Sequence, residues 1–142
     1  MNYIFESIIV GIYSVGIYSV ILFTIISYFI KNKYFILFIV GFTKHLLGGY
    51  LNIHNFYCNY GYSCYLHNDC KNGKCYDDKK YLFLRSLFEG LLYLFIGSVL
   101  IELPFGLKNI YLYFLIGFIL HIASEWLGIH KYFCKTYCKK EE

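Results

Sequence analysis

Apolar residues run along this chain in four long stretches that lack the polar face a water-exposed helix needs. Tyr3 to Ile30, Tyr34 to Ile53, Tyr81 to Leu103 and Asn109 to Ile129 are dominated by Ile, Leu, Phe, Val and Tyr. A helix crosses the bilayer core with about 20 such residues, and helices apolar on every side belong in lipid or in deep cores. The pattern predicts an all-α fold, a four-span transmembrane helical bundle that forms one domain over residues 1–142. Two of the polar breaks are short, Lys31-Asn32-Lys33 and Pro104 to Lys108, and one is long, Asn55 to Lys80. Four spans place the N-terminus, the long break and the C-terminal tail on one side of the membrane, side A, and the two short turns on side B.

The second and fourth stretches repeat each other. Phe38 to Cys58 reads FIVGFTKHLLGGYLNIHNFYC and Phe114 to Cys134 reads FLIGFILHIASEWLGIHKYFC, with eight of twenty-one positions identical and no gap. A fixed internal offset marks a duplication. The spans therefore group as two duplicated helical hairpins: repeat 1 about 1–58, a Cys-rich loop about 58–80, repeat 2 about 81–134 and a tail 135–142. Both hairpins enter the membrane in the same direction, as in parallel repeats related by an axis along the membrane normal. Phe5-Glu6-Ser7 and Phe88-Glu89-Gly90 add a short match between the first helices of the two hairpins. The first span holds a tandem copy of its own, GIYSVGIYSV, whose small residues suit close helix approach in lipid.

Composition supports a membrane setting. The chain is 58% hydrophobic and 15% charged, against about 25% charged in soluble domains. Its 17 tyrosines and 14 phenylalanines crowd the span ends, as interfacial aromatic belts do. The first span has no basic residue before it and no small-residue cleavage site, so it reads as a span and not as a signal peptide. The net charge of +4 comes from lysines beside the membrane, where they suit anionic headgroups and not nucleic acid.

The polar residues within the spans are the candidate chemistry. Gly41, His45, Gly48 and Asn52 share one helix face, as do Gly117, His121, Ser124 and Gly128, with Glu125 beside the second stripe. The duplication predicts that the two stripes face each other. They serve either as close packing with satisfied histidines or as a buried proton, metal or haem site, since intramembrane ionisable groups are functional candidates by default. Glu89 and Glu125 form a polar layer roughly 7–12 Å beneath side A at 1.5 Å per residue. Arg85 lies one turn from Glu89 and is its expected partner; Lys44, beside His45, is expected to pair with Glu125. His45 and His54, like His121 and His130, are nine apart, about half a turn out of phase on a continuous helix. That spacing excludes two stacked haems and leaves room for one between His45 and His121.

All six cysteines lie on side A: Cys58, Cys64, Cys70 and Cys75 in the loop, Cys134 and Cys138 in the tail. Two readings compete. An even count fits three disulfides, with Cys58–Cys134 as the symmetric bridge bracing a small external knob. The repeated His-x-x-x-Cys supplies His54, Cys58, His130 and Cys134 as four ligands for a zinc ion. Topology separates them, and its signals disagree. Side A holds more lysine and arginine than side B, which favours the cytoplasm; the first span, with Lys31 and Lys33 just after it, orients side A outward. The expectation is a lumenal or external side A, where disulfides persist.

No Cys-x-x-Cys, Walker loop, dinucleotide fingerprint, Gly-x-Ser-x-Gly or His-Glu-x-x-His is present, which argues against thiol oxidoreductase, nucleotide-binding and common hydrolase chemistry. The AT-rich residue usage, the Gly-Phe-x-x-His stretch and the Ile-His-x-x-(Phe/Tyr)-Cys motif of Ile53 to Cys58 and Ile129 to Cys134 carry a resemblance. It covers the second and fourth spans. The chain resembles small uncharacterised polytopic membrane proteins of large DNA viruses of the mimivirus kind. The resemblance implies a setting, a host ER-derived or virion membrane, and no mechanism. The expected function is thus a structural or interaction component of that membrane, with neither enzyme activity nor a cofactor expected. Its expected partners are the lipid bilayer, a second copy or other membrane or capsid proteins, and no nucleic acid. The alternative is a small transporter or a zinc- or haem-binding redox protein using His45, His121 and Glu125.

Overall fold

The computed structural model of the chain describes residues 2–24, 31–66, 73–75 and 79–140, with backbone alone at 73–75, 79–80 and 139–140. Its elements run α1 (Tyr3–Phe23), α2 (Lys33–Tyr50), α3 (Ile53–Tyr60), α4 (Tyr62–Leu66), β1 (Gly73–Cys75), α5 (Lys79–Glu102), α6 (Asn109–Trp126), α7 (Ile129–Tyr137) and β2 (Cys138–Lys140). Asparagines start the first two helices as the sequence invites. The Asn2 side chain accepts from the Ile4 N–H, and the Asn32 side chain accepts from Tyr34 and Phe35, satisfying N–H groups that a helix start leaves free. Among the described residues, three helices are long and apolar enough to cross a membrane, α1, α5 from Tyr81 onward, and α6. Joined to α3 and α4 across a 73° bend, α2 passes as a fourth. Length and composition therefore point to an integral membrane location.

The helices pair across the expected hairpins. Helix α1 lies along α6, and α2 along α5, while contacts within each hairpin are slighter. Small residues permit these approaches. A Cβ on Gly41 would lie 2.6 Å from the Tyr93 ring, and one on Gly117 would collide with Ser14 Oγ. In lipid, where apolar burial alone does not drive helices together, such close contact supplies the association. The glycines of the two stripes consequently pack on other helices and not on each other. The Gly41 stripe seats α5 and the Gly117 stripe seats α1.

The apolar centre joins all four long helices through Tyr18, Leu37, Val40, Tyr93, Tyr113 and Ile116. Within it, the hydroxyls of Ser14 and Tyr93 share a buried hydrogen bond of 2.6 Å. Tyr18 and Tyr113 stack with centroids 4.0 Å apart. The outer surfaces stay apolar, with Phe23, Phe95, Ile12 and Val20 exposed. Two details depart from the sequence reading. The helices stop short of the predicted span ends at Tyr50 and Trp126, and a short antiparallel ladder pairs Cys75 with Cys138, Lys74 with Lys139 and Gly73 with Lys140.

Candidate functional site

The site depends on two helix breaks at matching places. After α2 the Leu51 N–H returns to the Leu47 carbonyl at 2.8 Å, and Asn52 turns left-handed at φ 57 before α3 begins. After α6 the Leu127 N–H returns to Ala123 at 2.9 Å, and Gly128 takes φ 73 before α7. Glycine and asparagine accept that conformation at least cost. Each break folds the following helix back over the end of the one before it. His54 thereby meets His45, ring centroids 4.8 Å apart, and His130 meets His121 at 4.5 Å. The nine-residue spacing that separates each pair on a continuous helix is overridden by the turn.

Three carboxylates hold three of these imidazoles, His45, His121 and His130. Glu89 accepts from Lys44 Nζ at 2.5 Å on one oxygen and meets His45 Nδ1 at 2.8 Å with the other. Lys44 thus pairs with Glu89 and not with Glu125. Arg85, the expected partner of Glu89, donates from Nε to the Tyr81 carbonyl and stacks over the Tyr137 ring at 4.2 Å. Glu125 Oε1 meets His130 Nδ1 at 2.6 Å and accepts from the Tyr57 hydroxyl at 2.8 Å, while Oε2 accepts from Ser63 at 2.6 Å. Glu6 meets His121 Nε2 at 3.3 Å and accepts the Tyr62 N–H at 2.6 Å. An ionised carboxylate only accepts, so the nitrogen facing it carries the proton.

Glu6, Tyr57 and Ser63 were not among the candidates read from the sequence. The Phe-Glu match around Glu6 and Glu89 was the signal for the first. Nothing local marks the other two, which reach the site because α3 and α4 fold over the bundle end.

A cavity of about 180 Å³ lies between the imidazole pairs, lined by His45, His54, His121 and His130 together with Lys44 and Glu89. A smaller one of about 80 Å³ adjoins Lys44, Leu120, His121 and His130. His45 Nε2 is buried with no hydrogen-bond partner among the described residues, an arrangement that a polar occupant would satisfy. Small-molecule sites typically enclose about 300–1,000 Å³. The space suits an ion or a few waters and falls short of a haem plane between His45 and His121.

A disulfide-linked cap covers this end of the bundle. Cys58 bonds Cys138, and Cys64 bonds Cys134. The expected Cys58–Cys134 bridge is therefore replaced by a crossed arrangement. The physical reason is proximity: Cys134 and Cys138 stand four residues apart at the end of α7, and Cys64 Sγ lies 3.8 Å from Cys138 Sγ, so all four sulfurs share one cluster. With Cys58 and Cys134 oxidised, the zinc set of His54, Cys58, His130 and Cys134 has no thiolate to offer, and its two histidines line the cavity instead. Cys70 lies outside the described residues, and Cys75 is described by its backbone alone.

Imidazoles oriented by carboxylates are the arrangement used both to pass protons and to ligate metals. His121, Glu125 and His130 place one ligand atom each within 4.8 Å of one another. The chain matches no family model, no curated protein and no solved structure.

Proposed function

We propose that this chain is a four-span integral membrane protein, built from two duplicated hairpins, that holds a small cationic ligand in a polar chamber beneath a disulfide-linked cap. The observation that carries this reading is the convergence of all four histidines of the repeated segments on one cavity. Charged and polar side chains are costly in the bilayer, and closer packing would have been served by apolar residues. The matching left-handed turns at Asn52 and Gly128 support the duplication. In this arrangement α2, with α3 and α4 beyond its bend, forms the fourth span. The disulfides favour a cap on the lumenal or external side, where thiols oxidise.

Val10 lines the cavity. Replacing it by cysteine is expected to give a thiol that reacts with Ag⁺, a thiophilic cation small enough for the space, supplied on both sides of the membrane and read as protection from later alkylation, above the background of the parent chain. A cysteine at this position that stays inert would mean a dry, closed centre and would end the chamber reading.

A second reading keeps the protein as a structural or interaction component of a virion or ER-derived membrane. One observation favours it: Phe56, Tyr60, Tyr65, Trp126 and Tyr132 are all exposed around the cap, where a second copy or another membrane or capsid protein would find an aromatic contact surface.

A further inference from the structure

The two halves of the chamber differ in charge, and the difference falls at equivalent positions. Aligned by the repeat, Lys44 corresponds to Leu120, and Gly49 corresponds to Glu125. One half therefore holds His45, His54 and Glu89 with a lysine ammonium fixed against the carboxylate. The other holds His121 and His130 with two carboxylates, Glu6 and Glu125, whose side chains are 3% and 7% exposed. Among the described residues neither has a lysine or arginine partner; they meet imidazoles, hydroxyls and one backbone N–H. Burying carboxylates without a matching cation is expensive.

We propose that this second half binds one divalent first-row transition metal ion through His121, Glu125 and His130, in the role that the Lys44 ammonium fills in the first half. The inference rests on the chamber and duplication reading above and adds its ligand class. Two imidazole nitrogens and a carboxylate oxygen form a donor set suited to zinc and its neighbours. The ligand atoms already lie within 4.8 Å of one another. Glu6, 3.3 Å from His121 Nε2, stands next to the set as a fourth donor, its second carboxylate, or as a partner for a metal-bound water. Tyr57 and Ser63 hold Glu125 from outside, at 2.8 Å and 2.6 Å, the kind of support that fixes a metal-binding carboxylate. On binding, the ion takes the place of the proton between His130 Nδ1 and Glu125 Oε1, and that proton leaves to solvent. In the half with Lys44 the ammonium already meets the Glu89 charge, so the carboxylate left for a metal ion is on the other side.

The test uses the full chain in detergent with its disulfides intact, stripped by a chelator and titrated with Zn²⁺ or with Co²⁺. One equivalent is expected to bind, with a Co²⁺ visible spectrum of nitrogen and oxygen ligands and no thiolate charge-transfer band. His130→Gln and Glu125→Gln are expected to weaken binding by more than about 100-fold, beyond the 10–100-fold typical of outer-shell changes, and Tyr57→Phe by about tenfold. Leu120→Lys, which brings the missing ammonium to the second half, is expected to abolish stoichiometric binding while the melting temperature and disulfide map hold. No binding by the parent chain, equal binding by Glu125→Gln, or full binding by a folded Leu120→Lys would each overturn the proposal. A reactive cysteine at position 10 in a chain that binds no metal would leave the chamber reading standing and remove this inference alone; an inert one would remove both.

Discussion

The Lys44–Glu89 pair is the residue-scale feature that most constrains the molecule. Both side chains are largely buried, 11% and 19% exposed, and Glu89 also orients His45. Removing one member of a buried pair costs more than removing both, because the survivor is left charged and unpaired. Glu89→Gln is expected to destabilise the protein by about 3–5 kcal/mol, and the double variant Lys44→Met with Glu89→Gln to recover most of that loss. Thermal unfolding of the four chains of this cycle measures the coupling, and simple additivity would show that the pair does not act as a unit. The sequence placed Lys44 correctly as a charge in need of a partner. It named the wrong carboxylate, because adjacency in a repeat says nothing about which helix lies opposite.

At the scale of elements, the left-handed residues between α2 and α3 and between α6 and α7 decide the site. Without them His54 and His130 would continue on their helices and leave His45 and His121 alone. The two turns also differ in an informative way: Asn52 carries a side chain at φ 57, and Gly128 has none at φ 73. Gly128→Val is expected to cost about 1–2 kcal/mol, since a β-branched residue resists the left-handed region, whereas Asn52→Gly is expected to change stability by less than about 0.5 kcal/mol. Melting temperatures of the two variants check this. A neutral Gly128→Val would mean that the break is not required. Helix pairing is the other element-scale lesson: Gly41 against Tyr93 and Gly117 against Ser14 lock each hairpin's second helix to the other hairpin's first.

For the whole molecule, the disulfides complete what helix exchange begins. Cys58–Cys138 and Cys64–Cys134 span 80 and 70 residues of sequence, and they tie α3 and α4 to α7 and the residue that follows it. Peptide mapping without reduction is expected to recover these two links; a Cys58–Cys134 linked peptide in their place would contradict the crossed arrangement. Reduction is expected to lower stability by about 2–5 kcal/mol per bridge, as loss of native bridges commonly does. It should also loosen the cap over the cavity, which hydrogen exchange at α3 and α7 would register.

What the sequence determined by itself follows from patterns that are local in the chain. Apolar runs long enough for a bilayer mark the long helices, because lipid demands internally satisfied backbone over a fixed thickness. The gapless match between Phe38–Cys58 and Phe114–Cys134 marked His45, His54, His121, His130, Cys58 and Cys134 before any contact was known. The tertiary structure alone decided who meets whom. Glu6 reaches His121 across 115 residues of sequence, Tyr57 and Ser63 reach Glu125, and Cys138 takes the place beside Cys58 that symmetry had given to Cys134. The physical reason is that hydrogen bonds and disulfides depend on distances of a few ångströms, and two backbone turns with close helix contacts through glycine set those distances in space.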